Sequence, residues 1–298
     1  MKIVLTGASG LIGGKLLQRL FSEPHQVHVL GRKKPQNFSP WARFSEWDAM
    51  SGRPPVEALD GADMVVHLAG EPVAQRWDPE VKRRIRESRL RGTRAIVEAI
   101  QQAARKPRVF VSASAIGYYG SRGDEVLTEE SVPGTGFLPE VCVAWEQEAD
   151  QATPYVSRVV KLRIGIVLSK QGGALPRMLP PFQMGLGGKL GDGRMWMSWI
   201  HVDDVVELIQ FCLFHEDLSG AVNATSPEPV RNEEFTRALA RVLKRPALFA
   251  VPPFALRAMY GEMAGVVLSS QRVLPQAAQK AGFNFRHAEL HAALRSLL

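Results

Sequence analysis

The chain has 298 residues, 45% hydrophobic and 22% charged, the balance of a globular protein with a core for one elaborated domain or a domain carrying a smaller lobe. It has no run of about 18 apolar residues to span a bilayer, its first strand pattern begins too early for a signal peptide, and its two cysteines, Cys142 and Cys212, form neither a disulfide framework nor a four-cysteine zinc site; a cytoplasmic protein with no membrane partner and no bound metal is expected. The net charge of +7 owes much to one stretch, 81-VKRRIRESRLRGTR-94, whose seven cations surround a predicted helix, so a mostly solvated face is expected and not a nucleic-acid surface.

In chain order, Ile3–Leu5 reads as a short buried strand, Gly7-x-x-Gly10-x-x-Gly13 as a tight turn, and Leu16, Leu17 and Leu20 as the apolar face of a helix over 11–22. Such a turn holds phosphate. Its glycines let the backbone approach a pyrophosphate, and free N–H groups with the helix dipole point at the negative charge; Gly7, Ser9, Gly10, Leu11, Ile12 and Gly13 form this cradle. QVHVLGR follows at 26–32, DMVVHLAG at 63–70, a helix over 80–104, RVFVSASA at 108–115, a helix near 138–151 and VVKLRIGIVLS at 159–169. Near-continuous apolar strands alternating with helices predict a parallel sheet covered on both faces, the Rossmann doubly wound α/β fold. From residue 170 the chain turns rich in Gly, Pro and Met, with helical patterns near 203–214, 232–244 and 253–267. The expected division is a nucleotide-binding domain over 1–164, to which 198–226 returns, and a smaller interleaved substrate lobe over 165–197 and 227–298.

The glycine turn, HLAG at 67–70, VSASAIGYYG at 111–120, LRIGIVL at 162–168 and WIHVDDV at 199–205 fall in the order and at the spacings of the extended short-chain dehydrogenase/reductases, which the chain resembles along essentially its whole length. AGEPVAQRW, ESRLRGTRAIVEAI, AWE and LGGKLGDGRMWMSWIHVDD narrow the resemblance to the epimerase-family branch. That branch includes the short-chain dehydrogenase/reductase 39U type and homologues labelled as cell-division inhibitors. The resemblance implies a Rossmann fold and a bound nicotinamide dinucleotide, bordered by Leu68, Ala69 and Gly70 at a strand end and by Arg89, Ser112 and Arg163. Where NAD is preferred, an acid after the second strand accepts the ribose hydroxyls. Val27 to Ser45 holds no acid, and Arg32 and Lys33 offer positive charge to a 2′-phosphate, so NADP(H) is the expected cofactor.

Enzymes of this family hold the substrate oxygen with Ser or Thr and move a proton through a Tyr-x-x-x-Lys pair on one helix face, where the ammonium lowers the phenol pKa. Ser114 fits the first role, but the pair is missing. Matching Trp145-Glu146 to the same dipeptide in the branch puts Glu140 at the tyrosine position and Ala144 at the lysine position, and residues 137–160 hold no Lys and only Tyr155. Tyr118, Tyr119 and Glu140 are the candidate substitutes, Glu140 acting as a base if a dry pocket raises its pKa. His67 is expected in the core and Asp203 and Asp204 at a helix start. His287 and His291 lack the companions of a zinc site.

These readings favour an NADP-dependent oxidoreductase or epimerase with an atypical active site, acting on an unidentified small molecule, alone or as a homodimer. The alternative is a catalytically inactive NADP(H)-binding sensor or interaction module, such as the cell-division relatives suggest.

Overall fold

The computed structural model describes residues 1–35 and 38–298. Its central sheet contains β1 (Lys2–Thr6), β2 (Gln26–Gly31), β3 (Arg43–Glu46), β4 (Met64–His67), β5 (Val109–Ala115), β6 (Arg158–Ile164) and β7 (Gly220–Ala224), all parallel. They lie side by side as β3-β2-β1-β4-β5-β6-β7. The chain builds outward from β1 to β3, then crosses back to place β4 against the other side of β1. That reversal opens a crevice at the carboxyl ends of β1 and β4, where an open α/β sheet takes its ligand.

Alternation along the strands sorts the two cores. Ile3, Leu5, Val27, Val29, Met64 and Val66 pack on one face against Leu16, Leu17 and Leu20 of α1 (Leu11–Phe21) and Val205 and Ile209 of the later helix Val202–Phe214. Val4, Val65, Phe110 and Val159 point the other way, onto Ile96 and Ile100 of α2 (Pro79–Gln102) and Ala149 of α3 (Phe137–Asp150). Both faces are covered, which is why the strands carry so few polar residues. Asp78 starts α2 by accepting the Val81 N–H at 2.7 Å, with Pro79 at the first helical position. The basic stretch on α2 is mostly paired outward: Arg83 with Glu80 and Glu87, Lys82 with Glu262, Arg94 with Glu148. Arg89 turns inward instead.

The smaller lobe gathers around Trp199, Phe235 and Leu239, joined by Leu175 and Phe182 of the helix Leu175–Gln183 and by Leu290 and Leu294 of the last helix. Residues 202–214 and 220–224 pack with the sheet, and so do Ala277, Ala278, Phe283 and Phe285, the helix Gln276–Lys280 lying against β7. The chain end is therefore shared between sheet and lobe. The helical pattern over 253–267 is broken at Gly261, whose φ of 61° ends Pro253–Tyr260 before a short turn and Ala264–Val267.

One buried contact ties the crevice to the sheet. Thr6 Oγ1 accepts the N–H groups of Leu68 at 3.1 Å and Ala69 at 3.2 Å, so its own proton goes to His67 Nδ1 at 2.8 Å. His67 is therefore neutral with its proton on Nε2, and burial pushes its pKa down to about 4. In the unfolded chain it protonates near 6.5, so the unfolded state binds more protons across that window and stability falls as pH drops from about 6.5 towards 4. Between pH 7.5 and 5.0, His67 alone should cost about 2 kcal/mol of unfolding free energy. Urea titrations at the two pH values should show a loss smaller in His67→Asn than in the wild type by about that amount; an unchanged pH slope in the variant would remove His67 as a source.

Candidate cofactor and active site

The amino end of α1 fits an anion for reasons visible in the backbone. Gly7 has φ of +73°, and a Cβ there would stand 2.7 Å from the Leu68 carbonyl carbon. A Cβ on Gly13 would overlap the Gly7 carbonyl, so this glycine lets helix and strand approach. Gly10 differs: it is exposed, and a Cβ would meet only Gly7 O, at 3.3 Å. Its smoothness serves what lies outside the turn. The helix has no side-chain cap and no acid in its first turn, which leaves its N–H groups and dipole directed at the crevice. Ser9 is exposed beside them, and Leu11 and Ile12 are half-buried. Gly172 and Gly173 lie against Leu11, since a Cβ on either would fall 3.4–3.5 Å from its side chain, so the loop after Ile166–Leu168 borders the cradle. That neighbour carries no sequence signal.

Arg32 and Lys33 follow β2 directly and are exposed, beside the same crevice end of the sheet. Leu68, Ala69 and Gly70 follow β4, held by Thr6 as described. Ser112 lies inside β5, 1% exposed, so its side chain is enclosed by protein and does not form part of an open cofactor wall.

The expected catalytic residues are placed differently. Ser114 is 2% exposed, and its Oγ donates to Glu146 Oε1 at 2.7 Å. Arg163 clamps the same carboxylate from both sides, Nε to Oε1 at 2.8 Å and Nη2 to Oε2 at 2.9 Å. Its Nη1 reaches the Tyr119 hydroxyl at 2.9 Å, which donates in turn to Asn223 Oδ1 at 2.7 Å. Tyr118 stacks its ring 3.5 Å from the Arg163 guanidinium. Burial opposes the charge on Arg163, but the Glu146 carboxylate outweighs it and raises the pKa; burial pushes the Tyr119 phenol up to about 12 despite the nearby guanidinium. The hydroxyl protons of Ser114 and Tyr119 are thus committed inside the protein, and Arg163 neutralises Glu146 instead of reaching an external phosphate.

The register assigned to α3 is corrected in the same way. Glu140 is exposed, so no dry pocket surrounds it. With Glu146 facing the ion pair, the same helix face carries Cys142 one turn earlier and Leu138 two turns earlier. Gly117, just beyond β5, confirms this packing: a Cβ there would lie 3.4 Å from Leu138 Cβ and 3.7 Å from Cys142 Sγ. Leu138 and Cys142, not Glu140 and Ala144, face the end of β5 beside Ser114, and neither supplies a proton relay. Burial pushes the Cys142 thiol up to about 12, with the Arg89 charge pulling the other way.

Arg89 is the remaining charge at this edge. Its Nη1 donates to Glu71 O and Ile85 O, both at 3.0 Å, its guanidinium lies 5.0 Å from the Trp145 ring, and a Cβ on Gly70 would touch it at 3.6 Å. No carboxylate pairs with it among the described residues, and burial lowers its pKa. One group of ligating side chains, His201, Asp203 and His287, gathers elsewhere. There Lys15 already pairs with Asp203, and His201 Nδ1 accepts the Asp203 N–H, so His201 itself caps the helix while Asp204 binds the N–H groups of Arg286 and His287.

Fold and cradle define a dinucleotide-binding protein of the doubly wound class. The NAD dependent epimerase/dehydratase family profile matches residues 3–224, and a domain of unknown function, DUF1731, matches 251–297. The chain belongs to that epimerase/dehydratase family. It is 44% identical to the chloroplastic epimerase family protein SDR39U1 homolog of Arabidopsis thaliana, over 100% of this chain and 87% of the relative, and 34% identical to the epimerase family protein YfhF of Bacillus subtilis, over 100% and 98%. The crystal structure of human epimerase family protein SDR39U1 with NADPH matches with a TM-score of 0.88 at 30% identity, covering 100% of this chain and 99% of that one. No helix among the described residues is long and apolar enough to cross a membrane.

Two substitutions separate the roles assigned here. Gly10→Val should keep a normal melting curve and lose dinucleotide affinity, whereas Gly13→Val should lower the melting temperature itself; equal effects on folding would merge the two glycines into one role. Glu146→Leu should cost about 3–5 kcal/mol in urea unfolding, because it leaves the Arg163 charge buried and unpaired, and a loss below about 1 kcal/mol would contradict the network.

Proposed function

We propose that the protein binds NADP(H) in this crevice and is an oxidoreductase or epimerase-like enzyme that activates its substrate by fixed positive charge, without a tyrosine proton relay. The cradle, Arg32 and Lys33 after β2 and the NADPH bound by the human relative support the cofactor. When bound, the nicotinamide supplies hydride exchange. Gly7, Gly10 and the first turn of α1 hold the pyrophosphate, and Arg32 with Lys33 meets the 2′-phosphate.

The observation that carries the catalytic reading is Arg89: a guanidinium on α2 with no carboxylate partner among the described residues, held by two backbone carbonyls beside the buried Cys142. A charge desolvated in this way stabilises negative charge developing on a substrate oxygen far better than it would in water. The substrate is then a small molecule with a carbonyl or hydroxyl group whose proton comes from its own acid–base group or from water. A second reading, a cofactor-binding sensor or interaction module, is favoured by the sequestered hydroxyls of Ser114 and Tyr119.

Fluorescence titration should give tighter binding of NADPH than NADH, and Arg32→Asp should weaken NADPH by about 1.5–3 kcal/mol while leaving NADH little changed. Turnover against a panel of carbonyl and sugar-nucleotide compounds should then fall roughly 100-fold or more in Arg89→Met, with NADPH affinity retained. Tight NADPH binding with no turnover by the wild type would select the sensor reading; equal NADH and NADPH binding would reject the cofactor assignment.

A further inference from the structure

Outside the crevice, one face of the smaller lobe has a composition that the cofactor site does not explain. Residues 235–261 contain five cations, Arg237, Arg241, Lys244, Arg245 and Arg257, and no acid; residues 174–191 add Arg177 and Lys189, again with no acid. The two segments run together. Gly188–Leu190 pairs in parallel with Phe249–Val251, and a Cβ on Gly185 or Gly191 would stand 3.7 Å from Pro246 or Pro253. Along this seam stand Met184, Leu186, Leu248, Phe249, Phe254 and Met259, six of the eleven large hydrophobic residues exposed among those described. Leu248 is 87% and Phe254 74% exposed, and the helix Pro253–Tyr260 buries only Leu256.

An apolar cluster of this kind is covered by something in solution. A second copy would set the same cations against each other, and the repulsion opposes self-association. The side chains project from a two-stranded edge and a short helix, which suits a deformable apolar phase. Arg237 turns back to Glu233, whereas Arg241, Lys244, Arg245 and Arg257 have no acidic partner among the described residues and are free to meet phosphate. We infer that this face docks on an anionic lipid bilayer, with Leu248, Phe249 and Phe254 entering the interface and Lys244, Arg245 and Arg257 contacting headgroup phosphates. The attachment is peripheral, so it departs from the expectation of no membrane partner, which rested on the lack of a spanning run. Arg76, in the loop after β4, donates to Ala258 O at 3.2 Å, so the docked face adjoins the rim of the cofactor crevice.

The test is cosedimentation of the full chain with vesicles, paired with light scattering of the free protein. The protein should bind phosphatidylcholine vesicles containing phosphatidylglycerol, release them as salt rises, and ignore pure phosphatidylcholine. Phe249→Asp with Phe254→Asp, and separately Lys244→Glu with Arg245→Glu, should each weaken binding roughly tenfold or more. Both pairs are exposed, so melting temperature and NADPH affinity should stay at wild-type values. The inference is overturned if the wild type ignores anionic vesicles, if both double variants bind as tightly as the wild type, or if light scattering gives a dimer that Phe249→Asp with Phe254→Asp converts to a monomer, which would make the face a contact between copies.

Discussion

The pair between Glu146 and Arg163 is the contact on which the active-site side of the molecule depends. It places a full charge of each sign where neither is hydrated, and such a pair is tolerated only when its remaining hydrogen-bonding capacity is filled. Ser114, Tyr119 and Asn223 fill it, with Tyr118 stacked on the guanidinium. Because those residues come from β5, the turn beyond it, α3, β6 and β7, one network sets the spacing of these neighbouring elements. It also engages, inside the protein, the Ser114 and Tyr119 hydroxyls that look catalytic by position.

The opposite side of the crevice is organised by backbone instead. Thr6 holds the turn after β4 through two N–H groups, and Gly7 and Gly13 let strand, turn and helix meet closely, so an anion site is built without any charged side chain. Phosphate recognition needs only glycine and a helix end, whereas proton transfer needs a titrating group with a tuned pKa, and the helix face that could carry one presents Leu138 and Cys142. Arg89, reaching across from α2, leaves positive charge at that edge without a proton to exchange.

Much of the fold was legible because its signals are local. The glycine spacing and the runs of Val, Ile and Leu act within a few residues of themselves, and each appears in the structure where the pattern puts it. The helix over 253–267 was misread for a local reason too, since the break depends on the positive φ of Gly261. The register of α3 was misread for a different reason. Trp145 and Glu146 adjoin in sequence, but the face directed at β5 is settled by Glu146 meeting Arg163 from a strand 17 positions later. Glu140, 100° per residue around the helix from that face, ends outside.

The sequence by itself determined the sheet, the phosphate cradle and the lack of a Tyr-x-x-x-Lys pair, because each follows from residue types at fixed short spacings that any packing must respect. Only the tertiary structure decided what Ser114, Tyr119 and Arg163 do and which face of α3 looks inward. Those outcomes rest on charges and hydroxyls finding partners on other elements. A buried charge must be compensated by whichever group the fold brings within hydrogen-bond reach, and no spacing along the chain records that choice.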